Sequence, residues 1–212
     1  MDDLDYHHTR LREDAKRSIL WGTLSKYLQR HVPEQSTVLD FGAGYCDFIN
    51  NITAKRKIAF DQWEGIRRHA STGVELHIGH YSILNDLPRS SIDVIFASNV
   101  FEHFEAGELS VVIHMLKGLL RQGGRIIALQ PNFHYAFRQY FDDYTHKSIW
   151  THVSLPDFMA VHGLKPTLVK SAFLPLTVKS RLPVNSLLIR AYLASPLKPF
   201  AGQMLVVSEL SA

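Results

Sequence analysis

Segment 37–48 reads TVLDFGAGYCDF and joins a short apolar strand to a tight glycine turn. Gly42 and Gly44 follow Phe41 at once, so the strand must end there in a turn whose φ values glycine adopts freely. Bare backbone at such a turn also allows a ligand to approach closely. Asp40 stands two residues before the first glycine, at the carboxyl end of the strand, where ligands bind in open α/β sheets. A carboxylate at this place would repel a pyrophosphate and suits a ligand that carries an ammonium group.

The chain resembles the class I S-adenosylmethionine-dependent methyltransferases at four landmarks, which occur in the expected order. The acidic-x-Gly-x-Gly signature is Asp40-Phe41-Gly42-Ala43-Gly44. The acidic residue that closes the second strand is Asp61, in KIAFDQ. Residues 98–104, SNVFEHF, match the loop after the fourth strand, and the Gly-Gly turn in LLRQGGRIIALQPN matches the approach to the fifth. The chain departs from the family at Cys46, where many members have a third glycine.

The resemblance implies an α/β fold with a Rossmann-like, doubly wound, seven-stranded sheet, mostly parallel with one antiparallel strand near the C-terminus. The residue pattern agrees, because strand-like and helix-like segments alternate, which indicates a parallel sheet with right-handed crossovers. We predict strands at 37–41, 57–60, 75–78, 92–97, 124–130, 165–171 and 203–209. Helices are predicted at 5–30, 108–121, 155–162 and 184–193.

The composition favours a single domain, since 212 residues that are 46% hydrophobic can bury one substantial core. We divide the predicted domain into a helical segment at 1–33, a cofactor-binding core at 34–131, and a lid segment with the C-terminal strands at 132–212. A single cysteine excludes an internal disulfide framework and fits a reducing cytoplasm. Because no apolar run is long enough to span a membrane and the N-terminus is acidic, a cytoplasmic location is expected.

S-adenosylmethionine is the cofactor that the resemblance implies, and Asp61 is the strongest candidate ligand after the glycine turn. A carboxylate at the tip of the second strand can accept both ribose hydroxyl hydrogens, about 20 residues beyond the turn. Relatives often carry an aspartate where this chain has His80; neutral imidazole can accept one bond there, and Tyr81 can stack on the adenine. The predicted cofactor-binding residues are Asp40, Phe41, Gly42, Ala43, Gly44, Asp61, Gln62, Gly79, His80, Tyr81, Ser98, Asn99 and Val100.

The candidate catalytic residues begin in the loop after the fourth strand. Asn99, Glu102 and His103 fall three and four apart, so they share a face if a helix begins there. The spacing resembles quinone-pathway O-methyltransferases, in which two glutamates and a histidine hold a metal, but Asn99 replaces the first glutamate. One carboxylate and one imidazole are few ligands for a divalent ion, so no metal is predicted. We expect His103 to act as a general base oriented by Glu102; the alternative is that both residues only cap and orient the loop.

Segment 132–150 is rich in aromatic residues and histidine, and it offers no strand for the sheet. We therefore expect it to cover the carboxyl edge of the sheet as a substrate lid. Tyr144 and His146 complete the predicted catalytic set, and Asp143 is close enough in sequence to interact with His146. The segment resembles a subgroup of uncharacterised bacterial methyltransferases that are often supposed to act on saccharides or similar small molecules. This analogy is only weak evidence for the identity of the substrate.

The sequence thus predicts transfer of a sulfonium methyl group to an oxygen or nitrogen of a small molecule, with a saccharide among the candidates. A nucleic-acid methyltransferase is the next alternative, but the N-P-P-[YF] motif is missing after strand four, and a net charge of +3 without a dense basic stripe argues against it. Asp40 and Asp47 disfavour a nicotinamide-dependent oxidoreductase. A non-catalytic S-adenosylmethionine-binding protein stays open, and the sequence does not indicate the oligomeric state.

Overall fold

The computed structural model describes residues 15–175 and 185–211, and within them seven strands form one sheet in the order β3-β2-β1-β4-β5-β7-β6. Strands β1 to β5 pair in parallel, whereas β7 is antiparallel to both β5 and β6. The predicted doubly wound sheet with one antiparallel strand near the C-terminus is therefore confirmed. The strands are β1 (Thr37–Phe41), β2 (Arg56–Asp61), β3 (Val74–Ile78), β4 (Ile92–Ser98), β5 (Leu120–Pro131), β6 (Leu164–Pro175) and β7 (Ala201–Leu210).

Helices connect these strands on both faces of the sheet. The described helices are α1 (Ala15–Leu28), α2 (Asp47–Asn51), α3 (Ala106–Leu119), α4 (Phe133–Ala136), α5 (Ser154–Val161) and α6 (Ser186–Ala194). The first part of the helix predicted at 5–30 lies outside the described residues. Two strands are four residues longer at one end than predicted: β6 continues to Pro175, and β5 begins at Leu120, so the Gly-Gly pair lies within the strand, with Gly123 at φ 72°.

The sheet is covered by apolar packing on each side, because successive residues of a strand point to opposite faces. All five residues of β1 are buried, as expected of a central parallel strand. One core contains Leu39, Ile95, Ile126, Ile113 and Met159. The other contains Val38, Phe96, Ile127, Trp21 and Phe48. This two-sided burial fixes the strand register and therefore the place at which each strand ends.

The carboxyl ends of β1, β2, β4 and β5 lie at one edge of the sheet. Phe41, the last residue of β1, pairs with Phe60, one residue before the end of β2. Ser98, the last residue of β4, pairs with Leu129 near the end of β5. The loops that carry the predicted site residues therefore leave the sheet side by side.

Segment 132–150 adds no strand and is held against the loop after β4. The backbone N–H groups of Lys147 and Ser148 donate to the carbonyl oxygen of Glu102, at 2.8 and 3.1 Å. Tyr140 is fully buried, and its hydroxyl donates to the Ser148 carbonyl at 2.7 Å. The indole N–H of Trp150 donates to the Phe101 carbonyl. These contacts attach the segment to the loop after β4, and two of its residues, Tyr140 and Trp150, are buried in the core.

Among the described helices, none combines the length and the apolar character that crossing a bilayer requires.

Candidate cofactor and acceptor site

The glycine turn after β1 needs glycine for both conformation and space. Gly42 has φ 79° and Gly44 has φ 51°, in the left-handed region that favours glycine. The N–H groups of Gly42 and Ala43 both donate to the carbonyl of Phe60, at 2.8 and 2.9 Å. A Cβ atom added at Gly42 would lie 2.4 Å from Cγ2 of Val100, in the loop after β4. The turn is thus packed between the end of β2 and the loop after β4.

Cys46 has the backbone conformation that explains the family's frequent glycine at this position. Its φ is 57°, and its side chain is fully buried. Burial, with the nearby carboxylates of Asp40, Asp61 and Asp47, raises the pKa of the thiol to about 12. Cys46 is therefore a packed, protonated thiol at neutral pH, in agreement with the absence of any nucleophile motif around it.

Asp40 lies beneath the turn, with only 3% of its surface exposed. Burial raises the pKa of its carboxyl well above the usual 3.8, and the charges of Asp61 and Asp47 act in the same direction. A hydrogen bond from the backbone N–H of Ile49, in α2, opposes the shift. Asp40 thus connects the turn to α2, and its predicted contact with the cofactor stays a prediction. The charge of Asp47 is compensated by an ion pair with Arg17, so the charge argument against a nicotinamide cofactor is weaker than the sequence suggested.

Asp61, for which a ribose contact is predicted, lies at the end of β2 beside the glycine turn. It is half-buried and accepts hydrogen bonds from the backbone N–H of Gly44 to Oδ2 at 2.7 Å and of Trp63 to Oδ1 at 2.9 Å. Two ribose hydroxyl groups need two acceptor positions, and a carboxylate has about four. Gln62, the next residue, is exposed. The donor and acceptor chemistry of this edge therefore fits a nucleoside.

His80, at the tip of β3, forms a hydrogen bond with a residue close to it in sequence. The Nδ1 atom of His80 accepts a hydrogen bond from the Ser82 N–H at 3.3 Å and so caps the short 3₁₀ turn Tyr81–Asp86. The rings of His80 and Tyr81 have centroids 4.0 Å apart. The N–H of Gly79 donates to the Asp61 carbonyl, which joins this tip to β2. The adenine contact expected here stays a prediction.

The loop after β4 does not begin a helix at Asn99, so the condition under which Asn99, Glu102 and His103 would share a helix face is not met. Asn99 has φ 53°, and its Oδ1 accepts a 2.9 Å hydrogen bond from the side-chain amide of Gln203, in β7. Residues Phe101–His103 form a single 3₁₀ turn, and α3 begins only at Ala106. The side chain of Asn99 is therefore bound to β7. Ser98, just before it, has a buried hydroxyl with no hydrogen-bond partner among the described residues.

Three of the predicted catalytic residues do meet, and we call Glu102, His103 and His146 the acceptor cluster. One possible ligand atom from each lies within 4.8 Å of the others. Glu102 is fully buried, and Oε1 lies 3.9 Å from Nε2 of His146. Burial raises the pKa of Glu102 to about 8, and the charge of Asp143 adds to the effect.

His103 is held in one tautomer by a chain of hydrogen bonds that sequence reasoning missed. The Thr145 hydroxyl donates to Oδ1 of Asp143 at 2.6 Å, and Nδ1 of His103 lies 3.0 Å from the same hydroxyl oxygen and 3.3 Å from the Thr145 carbonyl. Because the hydroxyl hydrogen is already used, Nδ1 must donate, and the lone pair of the ring is at Nε2. Burial lowers the pKa of His103, as does neighbouring His146. His103 is therefore a neutral ring with one defined basic nitrogen.

Tyr144 lies outside this cluster, with 57% of its surface exposed.

Burial alone would raise the pKa of Asp143, but hydrogen bonds from Thr145 and the proximity of His103 and His146 lower it. The run DDYTH, which contains Asp143 and Thr145, was the sequence signal for the chain of hydrogen bonds that ends at His103. Its partner could not be identified there, because His103 belongs to a distant loop.

The strand order, the glycine turn after β1 and the acidic tip of β2 together define a class I S-adenosylmethionine-dependent methyltransferase. Residues 22–128, just over half of the chain, match the family model described as a methyltransferase domain. The chain belongs to this family. A search of curated proteins found no significant match.

Solved structures share the fold at low sequence identity. One chain of the complex between the Haloferax volcanii Trm112 methyltransferase activator and a methyltransferase is 15% identical with a TM-score of 0.70, covering 100% of this chain and 99% of that one. A SAM-dependent methyltransferase from Archaeoglobus fulgidus is 18% identical, with a TM-score of 0.66 and coverages of 97% and 98%. The Burkholderia thailandensis 1,6-didemethyltoxoflavin-N1-methyltransferase, with 1,6-didemethyltoxoflavin and S-adenosylhomocysteine bound, is 14% identical, with a TM-score of 0.63 and coverages of 99% and 85%.

Proposed function

We propose that this methyltransferase acts on an oxygen or nitrogen of a small polar molecule that binds at the acceptor cluster. The observation that carries the proposal is the acceptor cluster, in which buried Glu102 and the basic nitrogen of His103 lie on the loop that packs against the glycine turn. When bound, S-adenosylmethionine supplies a methyl group on a sulfonium centre that is already activated for transfer. The remaining work of the protein is to position the acceptor and to accommodate its proton.

The two sides of the site have separate tasks in this proposal. On the cofactor side, the turn at Gly42 and Gly44 gives bare backbone, and Asp61 binds the ribose. Gln62, Tyr81 and the loop residues Ser98 and Val100 line the remainder of the cofactor. On the acceptor side, the sequence predicted that His103 receives the proton, and its Nε2 lone pair supports that role.

Segment 132–150 supports a small acceptor because it covers the acceptor cluster with ordered structure. Its hydrogen bonds to the Glu102 carbonyl leave the cluster residue His146 with only 8% of its side chain exposed. A site of this kind suits a compact molecule better than a duplex. The Burkholderia neighbour, which holds a small acceptor on the same fold, is consistent with this proposal.

Transfer of a labelled methyl group tests the proposal directly. The protein is incubated with S-adenosylmethionine carrying a tritiated methyl group and with separate panels of saccharides, phenols and amines, and RNA in a further reaction. We expect label in a small-molecule panel, loss of transfer in Asp61→Ala, and normal transfer in Glu64→Ala, an exposed control. Cofactor binding by calorimetry without transfer to any panel would instead identify a non-catalytic binding protein, and transfer to RNA alone would identify the nucleic-acid alternative.

A further inference from the structure

The Glu102 carboxylate is buried without the partners that a buried charge requires. It has no exposed surface, and neither oxygen accepts a hydrogen bond from another residue in the described part of the chain. The Nε2 atom of His146 is 3.9 Å from Oε1, which is too far for a hydrogen bond. An unpaired buried carboxylate is strongly unfavourable, so it calls for a positively charged ligand or a proton.

The positions of the two histidines favour a metal ion. The possible ligand atoms of Glu102, His103 and His146 lie within 4.8 Å of one another. A tetrahedral cation with bonds of about 2.0–2.2 Å holds its ligands about 3.4 Å apart, so side-chain shifts on the order of 1 Å would close the site. Two imidazoles with one carboxylate suit zinc, manganese, iron or cobalt better than the oxygen-seeking Mg²⁺ or Ca²⁺.

The hydrogen bonds behind His103 are those of a metal ligand. Metal-binding histidines usually donate their second ring N–H to an oxygen acceptor, which fixes the tautomer and makes the ligating nitrogen more basic. Here Nδ1 donates to Thr145, which in turn donates to Asp143. The sequence argument against a metal counted one carboxylate and one imidazole, and the fold adds His146 as a third ligand.

We propose that Glu102, His103 and His146 bind a divalent first-row transition-metal cation whose open coordination positions take the oxygen or nitrogen of the methyl acceptor. Its role in methyl transfer rests on the proposed function, whereas cation binding itself does not. A coordinated hydroxyl group releases its proton to water more readily, because the cation stabilises the oxyanion. The carbon–oxygen bond then forms while the methyl–sulfur bond breaks, and the electron pair of that bond remains on sulfur. In this state His103 is a ligand and not the base.

Metal binding is measured first without cofactor or acceptor. Protein stripped with a chelator and dialysed into metal-free buffer is titrated calorimetrically with Mn²⁺, Zn²⁺ and Mg²⁺ in separate experiments. We expect one site for Mn²⁺ and Zn²⁺, and binding of Mg²⁺ at least about tenfold weaker. Glu102→Gln, His103→Gln and His146→Gln should each weaken Mn²⁺ binding by at least about tenfold. His114→Gln, which changes an exposed histidine on α3, should leave it unchanged.

A spectroscopic readout keeps the test decisive if a variant folds poorly. Electron spin echo spectra of the Mn²⁺ complex should show nitrogen couplings from two imidazoles, and His146→Gln, verified as folded by circular dichroism, should lose one set. Thr145→Val should weaken Mn²⁺ binding, and Thr145→Ser should restore it, if Thr145 positions His103. Absence of a single site, or equal Mn²⁺ affinity in all the ligand variants, would overturn the proposal, since Glu102 would then keep a proton instead.

The metal's role in turnover is separable from the methyl-transfer proposal. Once an acceptor is found, the stripped protein should lose transfer and regain it with Mn²⁺ or Zn²⁺. Full activity in the stripped protein would refute metal activation while leaving methyl transfer intact. Failure to find any acceptor would leave the calorimetric and spectroscopic results unaffected.

Discussion

Oδ2 of Asp61 accepts a 2.7 Å hydrogen bond from the backbone N–H of Gly44, so the predicted ribose ligand also fastens the glycine turn. Its Oδ1 accepts a second bond from Trp63 at the start of the following loop. The side chain therefore connects two loops that a bound nucleoside must contact. Changes at Asp61 should act on the cofactor both directly and through the shape of the turn.

Removing the Asp61 carboxylate is expected to weaken cofactor binding. Asp61→Ala should lose about 1.5–3 kcal/mol of S-adenosylmethionine affinity, because charge-assisted hydrogen bonds disappear. Asp61→Asn keeps one acceptor oxygen and should lose less. Calorimetry with S-adenosylmethionine, S-adenosylhomocysteine and NAD checks this prediction, and we expect no NAD binding by the wild type. Unchanged affinity in a folded Asp61→Ala protein would move the ribose contact elsewhere.

A side chain at Gly42 should disrupt the contact between the glycine turn and the loop after β4. Gly42→Ala places a Cβ 2.4 Å from Val100 in a left-handed backbone, so we expect destabilisation by more than about 2 kcal/mol. Val100→Ala combined with it should restore part of the loss, because the steric overlap is relieved while the backbone strain remains. Gly73→Ala is the matched control, since Gly73 is also left-handed, with φ 88°, and its Cβ would meet nothing within 4 Å. Urea unfolding measures all four proteins, and equal losses in the single and double variants would exclude Val100 as the cause.

Asp40 should lower the stability of the protein as its carboxyl ionises. Its pKa is raised in the folded state, so the folded protein holds this proton more tightly than the unfolded chain does. The resulting stabilisation is complete below the usual pKa of 3.8 and is lost as pH rises through the folded-state pKa. Asp40→Asn should therefore become more stable than the wild type as pH increases, since the amide places no charge in this buried position and none beside Asp61 and Asp47. Urea unfolding at several pH values, with exposed Asp86→Asn as control, should show a growing difference for Asp40→Asn only.

Substitution of two tyrosines in segment 132–150 should have different effects, one on acceptor binding and the other on folding stability. Tyr144 is 57% exposed, so Tyr144→Ala should leave the melting temperature and cofactor affinity nearly unchanged while raising KM for the acceptor. Tyr140 is buried and donates to Ser148, so Tyr140→Phe should cost about 1 kcal/mol of folding stability. Loss of cofactor binding in Tyr144→Ala would place that residue on the cofactor side of the site.

The Cys46 thiol should be unreactive in the native protein. It is fully buried, and its pKa is raised to about 12, so almost no thiolate exists at neutral pH. A thiol reagent at pH 8 should react within minutes in denaturant and at least about a hundredfold more slowly without it. Rapid native labelling would show that the turn opens readily.

The sequence predicts those structural features that depend on residues close together in the chain. The buried strand β1, the turn at Gly42 and the alternation of strands with helices follow from apolar spacing and from backbone conformations that particular residues favour. The family resemblance adds that Cys46 stands where relatives often have glycine, and the structure gives this residue a φ of 57°. These features depend on neighbours a few residues away.

The arrangement of the acceptor cluster depends instead on distant contacts. The conformation at Asn99 is supported by Gln203, and the meeting of Glu102 with His146 depends on backbone bonds from Lys147 and Ser148. No spacing rule connects these positions, so the sequence could identify the residues and not their geometry. The helix that would have placed Asn99, Glu102 and His103 on one face does not form for this reason.

The position of β7 affects the order in which the two halves of the site form in a newly synthesised chain. Although β7 follows β6 in sequence, it lies between β5 and β6, and it carries the Gln203 amide that holds Asn99. During synthesis on the ribosome, the glycine turn and Asp61 emerge long before this strand. We therefore expect a nascent chain to complete its nucleoside-binding half first, whereas the loop that faces the acceptor reaches its final shape only when the last strand inserts.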